Sequence, residues 1–491
     1  MKNTAALQVD PFDSVATALR DILPGEEACG LILGEVIAHG HKFALRAHAA
    51  GDVVVKLGFP IGRATRSIAP GEHVHSHNLA TALSEETRYR FASAAPEDAR
   101  LADTSRFQGY VRADGRVATR NEIWVLPTVG CVARTAQKIA AAADMRHAGL
   151  VDGVYAFTHP FGCSQLGDDL AGTRAILAAL ASHPNAGGVL LVGLGCESNQ
   201  LDALMAEIDP AARGRVLVLR AQDSGDELAE GAELIAALVE RAGIAQRESV
   251  GLDRLVLGVK CGGSDGLSGL SANPLVGRMS DRVTAAGGTA ILTEIPEIFG
   301  AEQLLMARAV DAAVFARTVH LVNSFKRYFV DHGEPVSENP SPGNIAGGIT
   351  TLEEKSLGAV QKAGRAMLTD VVDYGGQARL PGLALLEAPA NDAVSSTALV
   401  AAGATLILFT TGRGTPLGFP VPTLKIASNS ALAARKPGWI DFDAGTVLDS
   451  GHDSAASALF EMVIATASGA LTAAERNEER EIAIWKRGVT L

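Results

Sequence analysis

From Phe107 onward the chain alternates apolar runs of strand length with alanine-rich stretches of helical period. The runs "IWVLPTVGC", "DGVYAFTHPFGC", "GGVLLVGLGC" and "RLVLGVKCGG" carry few polar positions, and the first three lead into "VARTAQKIAAAADM", "DDLAGTRAILAALASHP" and "NQLDALMAEI". A strand that is apolar on both faces is covered on both faces, so the pattern predicts parallel sheets with helices packed on either side. Ligands of such sheets collect beyond the carboxyl ends of the strands.

The first ninety residues read differently. Short β-rich runs are separated by Gly and Pro turns, and few stretches have helical length. "IAPGEHVHSHNL" predicts a turn followed by a strand in which His73, His75 and His77 alternate and share one face. The polar stretch "SEETRYRFASAAPEDARLADTSR" has linker composition. The expected organisation is a small β-rich domain over 1–95, a linker over 96–106, a first α/β part over 107–247 and a second over 248–491. The fold class is α/β with mainly parallel sheets.

Composition narrows the function. The chain has 491 residues, 47% hydrophobic and 20% charged, a balance that buries large cores. A net charge of −12 argues against a nucleic-acid face, which needs clustered Lys and Arg. No basic segment followed by an apolar core opens the chain, and no run of 18 apolar residues occurs, so a cytoplasmic location without membrane contact is expected. The 5 cysteines are an odd set, unlike a disulfide framework. Cys131, Cys163, Cys196 and Cys261 all fall at strand ends about one or two βα units apart, at about 30 residues per unit, and are expected to converge on one crevice.

Several loops carry candidate chemistry. In "RADGRVATRN", Arg112, Arg116, Arg120 and Asn121 could clamp a carboxylate, since guanidinium binds carboxylate bidentately; otherwise this is a solvated charged loop. "THPFGCSQLGDD" offers His159, Cys163 and Gln165, with Asp168 and Asp169 as helix caps. In "GLGCESNQ", Glu197 beside Cys196 would be costly if buried without a partner, which invites a metal or a cation. In "KCGGSDGLSGLSANP", Lys260 could be a base if burial lowers its pKa. Cys261 could ligate a metal or simply fill space, and Ser264, Asp265 and Asn273 could bind hydroxyl groups. Glu294, Glu297, Asn339, Asn344, Arg413 and Lys425 add similar chemistry downstream. There is no Walker A sequence, and "GLGCES" lacks the third glycine of a dinucleotide fingerprint. Together these residues describe an α/β enzyme for a polar carboxylate, with a metal as an option.

The ordered set "VHSHNL", "GYVRADGRVATRN", "THPFGCSQ", "GCESNQ", "KCGGSDGLSGLSANP", "TEIPEIFGAE", "NPSPGNIAGGITTLEEKSLG" and "FTTGRGTPLGFP" resembles the altronate dehydratase/galactarate dehydratase family of sugar-acid hydro-lyases. The resemblance runs over nearly the whole chain. It implies an N-terminal SAF-like (β-clip) domain carrying the histidines. It also implies dehydration of a sugar acid, D-altronate first, to a 2-keto-3-deoxy acid with a divalent metal, Fe2+ before Mn2+ or Mg2+. Galactarate, another aldonate or sulfolactate are alternative substrates, and a non-catalytic sugar-acid binding protein is the rival class. The base stays open among His75, His77, His159 and Lys260, and the metal ligands among His75, His77, Cys163, Cys196, Glu197 and Cys261. An iron–sulfur cluster on the four strand-end cysteines is the lesser alternative. The partners expected are a small-molecule substrate and a second copy of the chain. Because imidazole suits both iron(II) and proton transfer, the histidine strand is expected to reach the crevice of the larger part.

Overall fold

The structure, a computed structural model, describes residues 5–83, 89–91 and 103–491. Most of the expected linker, up to residue 102, lies outside the described residues.

The N-terminal region is built from short antiparallel strands: β1 (Ala6–Leu7), β2 (Val15–Ala18), β3 (Lys42–Ala44), β4 (Val53–Lys56), β5 (Phe59–Ala64), β6 (His73–Val74) and β7 (Leu79–Ala80). β1-β2-β3-β6 form one sheet and β4-β5-β7 another. The histidine strand is shorter than its alternation predicts. It ends at Val74, and residues 75–78 form a turn in which the Asn78 amide donates to the His75 carbonyl at 2.9 Å.

Next, β8 (Arg106–Val111) leads into β9 (Glu122–Pro127), helix α1 (Ala133–Arg146), β10 (Val154–Ala156), α2 (Gly167–Ala181), β11 (Ala186–Gly193), α3 (Leu201–Glu207), β12 (Val216–Arg220) and α4 (Glu227–Ala242). The parallel sheet runs β10-β9-β11-β12. Every residue of β9 is buried, as expected of a strand with helices on both faces. α4 starts where Asp226 accepts the amides of Leu228 and Ala229, satisfying two N–H groups that lack helical partners. β13 (Glu248–Gly251) then pairs antiparallel with β8.

The last part holds β14 (Val256–Cys261), α5 (Ala272–Ala285), β15 (Thr289–Leu292), α6 (Ala312–Asp331), α7 (Pro342–Ala346), α8 (Leu352–Ala359), β16 (Leu368–Val372), β17 (Gly382–Leu386), α9 (Asp392–Ala401), β18 (Leu406–Thr411), β19 (Thr423–Ala427), β20 (Phe442–Asp443) and α10 (His452–Ala467). Its seven-stranded sheet is parallel throughout, in the order β16-β17-β15-β14-β18-β19-β20, with β14 in the middle. The α/β fold with mainly parallel sheets is as the apolar pattern predicts.

The N-terminal sheets dock on α8 and the loop before it. Lys42 and Lys56 both donate to Glu354, each at 2.8 Å, and all three side chains are buried. Glu353 accepts from Thr81 Oγ1 at 2.9 Å and from the Ala82 amide at 2.7 Å. Gly266 lies so close to the Gly40 carbonyl that a Cβ there would collide with it. At the other end, the C-terminal tail links the sheets: the Arg487 and Gly488 amides donate to Asp169 at 2.6 and 2.9 Å, and the Leu491 amide to the Ser164 carbonyl at 3.0 Å. Among the described residues no helix is long and apolar enough to cross a membrane.

Candidate functional site

The carboxyl end of β14 is a buried charge cluster. Cys261 Sγ lies 3.2 Å from Glu297 Oε2, and the Cys261 amide donates to Glu294 Oε2 at 3.0 Å. Three lysines enclose these groups. Lys260 reaches Glu294 at 3.0 Å and Asp392 at 2.7 Å, Lys355 reaches Glu297 at 2.8 Å, and Lys362 reaches Cys261 Sγ at 2.7 Å. Burial, opposed by Lys362 and reinforced by Glu297 and Glu294, pushes the Cys261 thiol up to about 12. Burial works against the charge of Lys260, but Glu294 and Asp392 outweigh it and raise its pKa above the ordinary lysine value. Lys355 is likewise raised, with Glu297 overcoming burial. Both ammonium groups are held charged.

Beside this cluster lies a cavity of about 1010 Å3, bounded by Gly262, Gly263, Glu297, Asn339, Asn344 and Lys355 among others. Phe325, Phe329, Val336, Leu352 and Trp485 supply apolar wall, and Glu338, Ser341, Asn391 and Asp392 add polar groups. Lys355 also donates to Asn339 Oδ1 at 2.9 Å and Asn344 Oδ1 at 3.2 Å, so one ammonium joins both amides to Glu297. An apolar cavity with a few convergent polar groups is the usual form of a small-molecule site.

The histidines stand behind α7. The His75 Nε2–H donates to the Ile345 carbonyl at 3.0 Å, and Ile345 lines the cavity. His75 Nδ1 accepts the Ser76 amide at 2.7 Å, so both its nitrogens are engaged. The turn after Val74 still gathers the rings: His73 lies 5.3 Å from His75 and 5.6 Å from His77, centroid to centroid. His41, which sequence pattern did not single out, joins them, its Nδ1 3.0 Å from His73 Nε2. Burial lowers His73 to about 3 and His75 to about 4, so these imidazoles are neutral.

Other sequence candidates are spent on the fold. Arg112 donates to the Pro184 carbonyl at 2.7 Å and to Asn121 Oδ1 at 3.0 Å; Arg116 binds Asp114 at 2.6 Å; Arg120 holds Glu475 through two bonds of 2.8 and 3.0 Å. The expected carboxylate clamp is therefore an internal brace, and Asn121 serves it by donating to the Ala242 carbonyl at 2.9 Å. His159 donates Nε2–H to the Pro127 carbonyl and accepts the Phe161 amide on Nδ1, leaving no nitrogen for a substrate proton. Glu197 accepts Thr128 Oγ1 at 2.7 Å and the amides of Leu194 and Gly195, so its partners are its own loop and the neighbouring strand end rather than a metal. Asp265 is saturated by Ser268, Ser428 and Asn429. Asn273 bonds Thr410 Oγ1 and the Gly358 carbonyl, and Ser264 bonds the Gly262 carbonyl. Lys260 runs opposite to the expected low-pKa base, because two carboxylates hold its proton. Cys261 stays apart from the other three cysteines, on another sheet and buried, whereas Cys131, Cys163 and Cys196 are exposed. Arg413 is exposed, and its aliphatic stem packs over Gly263 at the cavity edge.

Three family models match in order: the SAF domain of altronate/galactarate dehydratases at 4–82, the second domain of D-galactarate dehydratase/altronate hydrolase at 109–243, and the C-terminal D-galactarate/altronate dehydratase domain at 252–490. The chain is 49% identical to an altronate dehydratase of Escherichia coli, with 99% of each chain covered. The chain belongs to the altronate/galactarate dehydratase family. It is 46% identical to an altronate dehydratase of Bacillus subtilis over 99% of each, and 33% identical to a galactarate dehydratase (L-threo-forming) of Escherichia coli over 90% of this chain and 88% of that one. This membership makes the protein a hydro-lyase, and the family implies a metal.

Two places in the structure offer donors for that metal. Among the described residues, only Cys261, Glu294 and Glu297 bring three ligand atoms within 4.8 Å. Each is already paired with a lysine ammonium, and the thiol is held protonated, so with the lysines in place this group does not fit a divalent cation. The histidine group offers imidazole donors, which suit iron(II); His41 Nδ1 and His73 Nε2 are hydrogen-bonded to each other at 3.0 Å, and no third histidine nitrogen among the described residues joins them within 4.8 Å.

The residues that pattern did not reveal are Lys42, Lys56, Glu354, Lys355 and Lys362. They sit in "TTLEEKSLGAVQKAG" and in short strands, where charge reads as solvent exposure, yet all eight residues of α8 are buried.

Proposed function

We propose that the protein dehydrates D-altronate to a 2-keto-3-deoxy acid, with iron(II) as its metal. The observation that carries this is the set Glu297, Lys355, Asn339 and Asn344, joined by hydrogen bonds on one wall of the cavity at the end of the central strand. The identity shared with altronate dehydratases across the full chain supports this substrate over galactarate.

In this reading Arg413, at the Gly263 edge, receives the substrate carboxylate. Glu297 removes the proton on the adjacent carbon, and the Lys355 ammonium, fixed by Asn339 and Asn344, faces the enediolate charge that develops. The proton gained by Glu297 leaves with the C3 hydroxyl as water, and the enol then tautomerises to the keto acid. His41 and His73 would hold the metal, with His75, fixed by the Ile345 carbonyl, packed beside them. When bound, the metal supplies Lewis-acid stabilisation of the enediolate. The units 1–95, 107–247 and 248–491 act together, the first through its dock on α8.

The test is turnover. Purified, iron-loaded protein is incubated with a panel of aldonates and aldarates, and 2-keto-3-deoxy acid is assayed. Product from D-altronate is expected. Absence of product from every acid, or product from galactarate alone, defeats the proposal.

A further inference from the structure

The last residues of the chain supply part of the cavity wall, and the dehydration above gives them no task. Trp485 lines the cavity beside Phe325, Phe329 and Leu417. Residues 479–489 form neither helix nor strand, so the position of this ring rests on individual anchors.

Those anchors are regular. The Glu481 amide donates to the Gly418 carbonyl at 3.0 Å, the Ala483 amide to Thr397 Oγ1 at 2.9 Å and the Trp485 amide to the Tyr374 hydroxyl at 2.8 Å. Arg487 and Gly488 then give their amides to Asp169 on α2, a side chain only 3% exposed, and Leu491 gives its own to Ser164. Chain ends fray unless they are tied down. This one is tied at every second residue from Glu481 to Arg487 and again at its terminus.

The ring is held as firmly as the backbone. Trp485 is 9% exposed and stacks on Phe325, with centroids 5.3 Å and planes 6° apart. Tyr328 and Tyr374 meet it edge to face at 5.6 and 5.5 Å, and the Arg487 guanidinium lies 3.9 Å from its centroid. A fixed indole offers contact area at little entropic cost. Its N–H has no acceptor among the described residues, and the atom is not sealed in, whereas Trp124 donates its own to Glu122 at 2.8 Å. A buried indole N–H ordinarily finds a partner, and a ligand hydroxyl in the cavity can serve.

Charge decides what kind of ligand end suits this wall. Lys355 is the one ammonium among the lining residues, beside the carboxylates of Glu297, Glu338 and Asp392. With Arg413 and Lys355 given to the carboxylate and the enediolate, a second carboxylate would meet Glu338, Asp392 or the aromatic rings without a cation. Desolvating a charge with no partner is costly, and such a mismatch rejects the wrong ligand. We infer that Trp485 is a specificity-determining residue, packing against the uncharged far end of a monocarboxylate sugar acid and disfavouring a dicarboxylate, with Asp169 as its positioning residue. This rests on the dehydratase reading above and names the side chain that favours an aldonate over an aldarate in that cavity.

The test compares full-length, iron-loaded wild-type protein with Trp485→Leu, Trp485→Phe and Asp169→Asn, each checked for folding by circular dichroism. D-altronate is the substrate, and galactarate is measured as its competitor. Trp485→Leu should raise KM for D-altronate about tenfold with kcat little changed, and should narrow the preference over galactarate by a similar factor. Trp485→Phe keeps an aromatic wall and should restore most of both. Asparagine at 169 has one acceptor oxygen for two amides, so Asp169→Asn should raise KM in the same direction by a smaller factor. Titrating D-altronate should change the tryptophan fluorescence of the wild type, and that change should be absent in Trp485→Phe. KM and preference unchanged in a folded Trp485→Leu, or a fluorescence change that survives in Trp485→Phe, overturns the inference while the dehydratase reading stands. If the wild type turns over no acid, that reading fails, and the titration alone decides: a change lost in Trp485→Phe sustains the contact with Trp485, and no change overturns it.

Discussion

The two parallel sheets end in loops of similar wording, "TVGC", "PFGC" and "GLGC" on one and "VKCGG" on the other, yet their interiors are opposites. At the four-stranded sheet the thiols are exposed, and the buried groups beneath them are bonded to one another and to backbone. At the seven-stranded sheet the thiol is buried among two carboxylates and three ammonium groups. A strand-end cysteine is thus not one kind of feature. Where burial raises the thiol pKa it stays protonated and behaves as a small polar neighbour. At the exposed end the thiols of Cys163 and Cys196 meet neutral partners instead, Ser164 and Gln222. The charged end suits proton handling.

The sharpest way to break this contrast is to remove the proposed base. Glu297→Gln keeps the shape and can still face Lys355, but it cannot take a proton. Turnover should fall by about 10^2 to 10^4, with iron content and the thermal unfolding curve close to wild type. Normal turnover in this variant would move the chemistry away from the charged end altogether.

Next in size is the dock of the N-terminal domain. Glu354→Gln leaves Lys42 and Lys56 buried without their carboxylate, which should cost about 3–5 kcal/mol in thermal or denaturant unfolding. Burial opposes ionisation of Glu354, but Lys42 and Lys56 outweigh it and hold its pKa at about 2, below the ordinary 4.5. Lys42 itself is drawn down to about 8, because burial on its side outweighs Glu354; the carboxylate, held by two ammonium groups, is the firmer half. A depressed acid means that the unfolded chain binds more protons, so this contribution is complete above about pH 4.5 and is lost as pH falls towards about 2. That acid-sensitive part of the unfolding free energy should be missing in Glu354→Gln.

The strands, the helices and the parallel order were legible because burial on both faces leaves near-continuous apolar runs, as in "EIWVLP". The site was half legible. The loops were recognisable from their glycines and polar residues, but partner choice was not. Arg120 and Arg112 look like substrate clamps until Glu475 and the Pro184 carbonyl are seen to hold them. Lys355 looks solvated until α8 is seen to be buried from end to end. Such pairings join residues far apart in the chain, and nothing local to either member announces them. The histidines show the same limit: the alternation predicted one strand face, the chain turns after Val74, and His41 arrives from another strand.

A smaller effect should follow from Arg413→Ala. This side chain is exposed at the Gly263 edge of the cavity and has no ion pair among the described residues, so its loss should leave folding untouched. If it receives the substrate carboxylate, KM should rise about tenfold, about 1.4 kcal/mol, with kcat little changed. An unchanged KM would place carboxylate recognition on Lys355 alone.

The smallest effect is expected from Cys261→Ser, and it tests the contrast most directly. The Cys261 thiol donates towards Glu297 at 3.2 Å and faces the Lys362 ammonium at 2.7 Å. A serine hydroxyl can donate to the same carboxylate and accept from the same ammonium, at the cost of a slightly smaller side chain. Stability should change by only about 1 kcal/mol, and iron bound per chain should not change. The reason is electrostatic: with Lys260, Lys355 and Lys362 already facing the two glutamates, a divalent cation would meet three like charges at short range. A cation site needs the opposite balance. If Cys261→Ser instead lowered iron content, the lysines would have to swing away when metal enters, and the charged end would be a cation site after all.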